Sequence, residues 1–96
     1  MSPKLRVRLI SKAAGELQRA AIWYEEQGKG LGSSFMLSAE AALAMIQRNP
    51  ELYSKIEGDT RRVVMKHFPY GIFYSIEVGE IVITAVFHSR RNPTDR

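Results

Sequence analysis

The chain has no cysteine, which excludes disulfides and thiolate metal ligation and fits a reducing compartment. No apolar run approaches the roughly 18–20 residues of a membrane-spanning helix, so no membrane partner is expected. Residues 1–12 are basic but lead into neither an apolar segment nor a cleavage site, so a secretory signal is not expected and the cytoplasm is. Only two histidines occur, His67 and His88, in separate segments, and no Asp, Glu and His spacing repeats a ligand pattern. No metal and no other cofactor is therefore expected. Gly28, Gly30 and Gly32 follow no strand, which removes them as a phosphate-cradling loop. A triad of Ser89, His88 and Asp95 exists on paper, but nothing in the sequence orders it.

What is present describes one small domain over residues 1–96. The mass is 10.9 kDa, with 45% hydrophobic and 25% charged residues, the proportions of an ordinary globular protein. A chain of this size buries about 60–65% of its unfolded surface, which leaves room for a partner to add stability. The net charge of +4 is unevenly spread. Residues 1–12 carry +4, residues 13–59 carry −3 and residues 60–96 carry +3, so both ends are basic and the middle is acidic. That asymmetry suits an acidic partner, whether nucleic acid or protein, or simply a solvated face.

Residues 5–10 alternate, with Leu5, Val7 and Leu9 opposed to Lys4, Arg6 and Arg8, which predicts a strand with one buried face. Ser11 is a plausible N-cap for a helix over 12–27, with Ala14, Leu17, Ala21 and Tyr24 on one stripe. The glycines at 28–32 predict a turn and a second helix over 33–48, its stripe Phe35, Ala39, Ala42 and Ile46. Met36, Leu37, Leu43 and Met45 leave that helix few polar positions elsewhere. Asn49–Pro50 ends it, because a residue before proline is pushed out of the helical region. Residues 51–59 read as a loop. The apolar period then becomes that of strands over 61–67, 72–78 and 80–88, with Gly79 in a tight turn between the last two.

The order is β-α-α-β-β-β. It predicts an α+β fold of two layers, a helical hairpin packed on one face of a mainly antiparallel four-stranded sheet. In the last strand Ile81, Ile83, Ala85 and Phe87 are expected on one face, Val82 and Val86 on the other. One pair of helices covers one face only, so Val64, Phe73, Val82 and Val86 are expected to need other cover. A protein partner or self-association would supply it.

The cations are the residues with chemical potential. Arg61, Arg62 and Lys66 line one strand, and His88, Arg90 and Arg91 close the last, so their ends could meet as a basic patch. Arginine forks match phosphate and carboxylate bidentately. A metal-independent ribonuclease would need such groups with a general acid or base. The plainer reading makes Arg90 and Arg91 a solubilising tail and pairs Arg61 or Arg62 with an acidic helix residue such as Glu25. Trp23 and Tyr24 lie about 100° apart on a helix, so one enters the core and the other reaches the rim.

The ordered set Ala13-Ala14-Gly15-Glu16-Leu17, Trp23-Tyr24-Glu25, Gly30-Leu31-Gly32 and Phe35 resembles the helical hairpin of the RelE/ParE toxin superfamily. Arg61-Arg62, Phe68-Pro69-Tyr70, Tyr74, His88, Arg91 and Pro93 are similar to its ParE-like, plasmid-stabilisation branch, and the likeness covers about residues 5–94. The resemblance implies a type II toxin with the fold derived above and a cognate antitoxin that wraps and neutralises it. It is compatible with a homodimer or a heterotetramer with the antitoxin. ParE-like members bind and poison DNA gyrase, with Arg61, Arg62, His88, Arg90 and Arg91 as the target-binding candidates here. RelE-like members cleave mRNA on the ribosome, and Arg62, Lys66, His88 and Arg91 would be the catalytic candidates. No tyrosine follows Tyr74, no aromatic follows Phe87, and no catalytic C-terminal helix fits before Arg96, which favours the gyrase-directed reading. A repurposed binding module without toxicity is the third alternative.

Overall fold

The structure is a computed structural model that describes residues 4–89. Its elements are β1 (Arg6–Leu9), α1 (Ser11–Gln27), α2 (Leu31–Arg48), β2 (Lys55–Glu57), β3 (Thr60–Val64), β4 (Tyr70–Glu77) and β5 (Glu80–His88). They form a five-stranded sheet in the order β1-β5-β4-β3-β2, with β1 parallel to β5 and every other neighbour antiparallel. Both helices lie on one face. Their stripe of Ala13, Leu17, Ala20, Phe35, Ala39, Ala42 and Ile46 packs on Val63, Ile72, Tyr74, Ile81, Ile83 and Val86. Each of the larger of these side chains contributes about 1.5–3 kcal/mol on burial.

The two-layer expectation holds, with one strand added. Residues 55–57 form β2 rather than loop, paired to β3 by Lys55↔Arg61 and Glu57↔Thr60 across an irregular register. All three residues of β2 are exposed, so there was no apolar alternation to reveal it. Ser11 does not cap α1. The N-cap is Ile10, without a side-chain bond, and its carbonyl accepts the Ala14 N–H at 3.0 Å.

The turn between the helices is built by Glu25. Its carboxylate accepts the Gly30 N–H through both oxygens (3.2 and 3.1 Å) and the Gly32 N–H at 2.9 Å. An acid from α1 thus satisfies orphan donors at the start of α2, where negative charge is favoured. These bonds hold the Glu25 carboxyl below the usual carboxylate range. Glu25 is therefore committed to backbone and does not pair with Arg61 or Arg62. Gly30 takes φ 89°, a left-handed conformation that glycine adopts without steric cost. Gly32 is buried where a Cβ would lie 2.8 Å from the Ala21 carbonyl oxygen.

The expected face assignments of Ala85 and Val86 are reversed in β5. Phe73 pairs with Ala85 but Tyr74 pairs with Ile83, so Thr84 is the extra residue of a β-bulge. Past the bulge the alternation shifts by one. Val86 faces the helices with Ile81 and Ile83, while Ala85 joins Val82 and Phe73 on the far face. Phe73, Val82 and Ala85 are nonetheless buried. Phe87 meets Phe73 edge-on at 5.8 Å between ring centres, and the Arg62 stem lies over Gly71. Long side chains of the sheet itself supply the cover there. Of the four residues expected to lack cover, Val64 is the one that stays exposed, at 53%.

Candidate functional site

Arg61 and Arg62 are neighbours in β3 and so point to opposite faces. Arg61, opposite the core residue Tyr74, turns toward the helix side. Its Nη1 donates to the Glu51 carbonyl at 3.1 Å and the Tyr53 carbonyl at 2.6 Å. The Tyr74 hydroxyl donates to the Pro50 carbonyl at 2.6 Å, and burial pushes that phenol up from its ordinary value. Together these two side chains tie the chain after α2 to the sheet. Arg61 thus holds the fold together through Nη1.

Arg62 pairs with Phe73 on the far face and is exposed. A Cβ on Gly71 would lie 3.1 Å from its Cδ, so the missing side chain there lets the arginine stem cross β4. The guanidinium is carried out along the far face over an apolar floor. At the other end of that face Arg8 makes a fork to Glu80, with Nε and Nη2 each 3.2 Å from a carboxylate oxygen. The fork holds the Glu80 carboxyl below its usual range.

His88 lies on the opposite side of the sheet from Arg62. It pairs with Tyr70, whose ring packs against Phe35, and the imidazole sits 5.4 Å from the Tyr70 ring. Both border an open groove of about 540 Å³ with Glu16, Arg19, Trp23 and Tyr24. Tyr24 is the helix aromatic that enters the core, stacked on Phe35 at 5.2 Å, while Trp23 stays 51% exposed. Burial and the neighbouring Tyr70 push the Tyr24 phenol up, so it is neutral at neutral pH. Glu16 organises this groove. Its carboxylate accepts the Val86 N–H at 2.8 Å and the Lys12 ammonium at 2.9 Å, closing part of the β5 edge that β1 is too short to reach.

Lys66 is exposed on the remaining edge, beyond β3, where its carbonyl accepts the Ser38 hydroxyl at 2.5 Å. Arg90 and Arg91 lie outside the described residues. The described candidates therefore occupy three different places: Arg62 on the far face, His88 on the helix side and Lys66 on the β3 edge. They do not converge on one phosphate. The residues that sequence reasoning missed are Glu16, whose i,i+4 spacing from Lys12 was a visible signal, and the exposed apolar pair Leu37 and Met45, which share a groove with Val64. On α2, Leu37 and Met45 fall off the core stripe, and that was readable as a second apolar face.

Comparison with known proteins follows this geometry closely. The toxin–antitoxin structure described as the chromosomal ParDE system from P. aeruginosa superposes with a TM-score of 0.77 at 15% identity, covering 91% of this chain and 98% of that one. The isolated E. coli RelE toxin superposes at 0.61 and 12% identity over 95% and 90% of the two chains. The archaeal RelE–RelB complex from Pyrococcus horikoshii OT3 gives 0.53 and 15% over 94% and 100%. At these identities the likeness shows the fold. No curated protein sequence matches the chain significantly. The family model for the ParE toxin of the parDE type II toxin–antitoxin system matches residues 7–93, from β1 to beyond β5, and the chain belongs to that family.

Proposed function

We propose that this ParE-family toxin acts by binding DNA gyrase in the cytoplasm rather than by cutting RNA. The observation that carries the choice is the scatter of the candidate catalytic groups. Arg62 and His88 stand on opposite faces of the sheet, so a phosphodiester held by one is out of reach of the other. General acid–base work needs its groups within hydrogen-bond reach of one reacting site. A binding toxin has no such requirement. It needs a preformed surface, and the far face offers one, with Arg62 extended over apolar residues. Arg62 on the far face, with the cations Arg90 and Arg91 that follow β5 in sequence, is the proposed target contact, and His88 on the helix side falls outside it. A cognate antitoxin neutralises the protein, as the type II family implies.

Two measurements test this. Purified toxin should inhibit supercoiling by gyrase, and induction in cells should raise DNA-damage signalling while mRNA stays intact. Primer extension on the same cells reads the alternative directly, since a RelE-like toxin leaves frequent cuts within reading frames. Such cuts, with gyrase unaffected, would overturn the proposal.

A further inference from the structure

Gly71 is a glycine that its backbone does not require. The left-handed glycines among the described residues are Gly30, Gly58 and Gly79. Gly71 instead keeps strand geometry in β4, the middle strand of the sheet, between Val64 of β3 and Phe87 of β5. Glycine weakens a strand at such a place, and its presence there marks a close approach by some other group. The group is Arg62. A Cβ on Gly71 would lie 3.1 Å from Arg62 Cδ, 3.3 Å from Arg62 Cγ and 3.5 Å from Phe73 Cε1. Gly71 has no side chain of its own, yet it is buried, and these two neighbours are its cover on the far face.

Arg62 starts on β3 directly opposite Phe73, so Gly71 is its diagonal neighbour on the same face of β4. The Phe73 ring fills the direct line across the strand. The empty place at Gly71 is the course left to the stem, and Phe87, edge-on to Phe73 at 5.8 Å, stands on the next strand beyond it. A stem laid in this slot is held by packing. The guanidinium at its end makes no hydrogen bond or ion pair among the described residues, in contrast to Arg8, which is forked onto Glu80. A long charged side chain whose stem is already placed has less rotamer freedom to lose when it binds.

We propose that Gly71 is a positioning residue for target contact: its missing side chain fixes the course of the Arg62 stem, and with it the place where the guanidinium meets the target. Gly71 acts through Arg62. A methyl group at this position would displace a flexible side chain and no backbone, so it would re-aim the charge without breaking the sheet. Val63 and Ile72, the neighbours that face the helices, lie on the other side and keep their packing. The inference rests on the far-face reading of Arg62 and adds to it the element that aims the arginine.

The test uses the full chain, with inhibition of gyrase supercoiling as the activity and NMR relaxation of the Arg62 Nε as the readout of side-chain order. Gly71→Ala should melt at or above the wild-type temperature, inhibit about tenfold less potently, and leave the Arg62 Nε more mobile. Arg62→Met should lose at least as much inhibition. The double variant should lose no more than Arg62→Met alone, because without the charge there is nothing left to aim. Wild-type inhibition by Gly71→Ala, beside an impaired Arg62→Met, overturns the proposal while the far-face reading stands. A Gly71→Ala protein that melts well below wild type also overturns it, since packing alone would then account for the glycine. So does a double variant in which the two losses add. Wild-type inhibition by Arg62→Met overturns the far-face reading itself, and the proposal with it.

Discussion

Gly32→Ala opposes two effects of known size at one buried position. Alanine is the better helix former by about 0.8–1.0 kcal/mol, so a helical glycine would ordinarily be stabilised by the change. At Gly32 the new methyl would sit 2.8 Å from the Ala21 carbonyl oxygen and 2.9 Å from Glu25 Oε1. The first neighbour is helix backbone and cannot swing away. The second is the carboxylate that holds the start of α2, and displacing it releases the bonds to Gly30 and Gly32. Forcing an extra methyl into a packed contact costs about 1–3 kcal/mol, and an immovable neighbour places this case near the top of that range. The net is a loss of about 2 kcal/mol, or roughly 8–16 °C in melting temperature for a domain of this size. Gly15→Ala on α1 is the control. Its methyl would meet the Arg19 guanidinium at 3.1 Å, the free end of a flexible side chain, so stability should rise by about 0.4–1 kcal/mol. Thermal unfolding followed by circular dichroism reads both. A Gly32→Ala protein as stable as wild type would refute the close approach of the two helices.

Tyr74→Phe removes the buried hydroxyl that bonds the Pro50 carbonyl and should cost about 1–2 kcal/mol in urea unfolding, with gyrase inhibition retained at temperatures well below the melting point. Arg62→Met keeps the stem over Gly71 and deletes the charge, so the melting temperature should hold while growth inhibition falls; full toxicity would remove the far face from target contact. Arg91→Ala tests the cation beyond β5 in the same growth assay, with melting temperature and antitoxin binding expected to stay near wild type. Glu25 and Glu80 both have carboxyls depressed below the ordinary 4.5, so their contribution is complete above that pH and is lost as pH falls through the lower folded values. The melting temperature should therefore drop below about pH 4.5, and Glu25→Gln with Glu80→Gln should flatten that acid limb.

The helices and the two long strands were legible because their apolar periods are clean over many residues, and the layer arrangement followed from them. β2 was not, since a three-residue exposed strand carries no periodic signal. The bulge at Thr84 was hidden by composition. Val82 through Phe87 is nearly all apolar or small, so shifting the register by one changed no hydrophobic score but moved Val86 to the other face. The separation of Arg61 from Arg62 was written in the sequence, because neighbouring strand residues must face opposite ways. Their shared positive charge does not put them on one face, because the pleat separates them. The partners of Arg61 were not readable, being carbonyls of a segment whose path depends on the tertiary fold.

The place of β5 in the sheet has a consequence for the order of assembly. It is the strand that joins β1 to the rest, and its contact with β1 links residues 72 positions apart, as in the Arg8–Glu80 pair. A nascent chain that has delivered everything before Glu80 has a helical hairpin with Ile81, Ile83 and Val86 missing from its floor, and a first strand with no neighbour to pair with. Long-range parallel pairing is also slow to form, since loop closure must precede its reward. The working surface therefore comes into being only once β5 has been delivered. Each molecule spends its emergence from the ribosome unfinished, an interval in which an antitoxin already present has first claim on it.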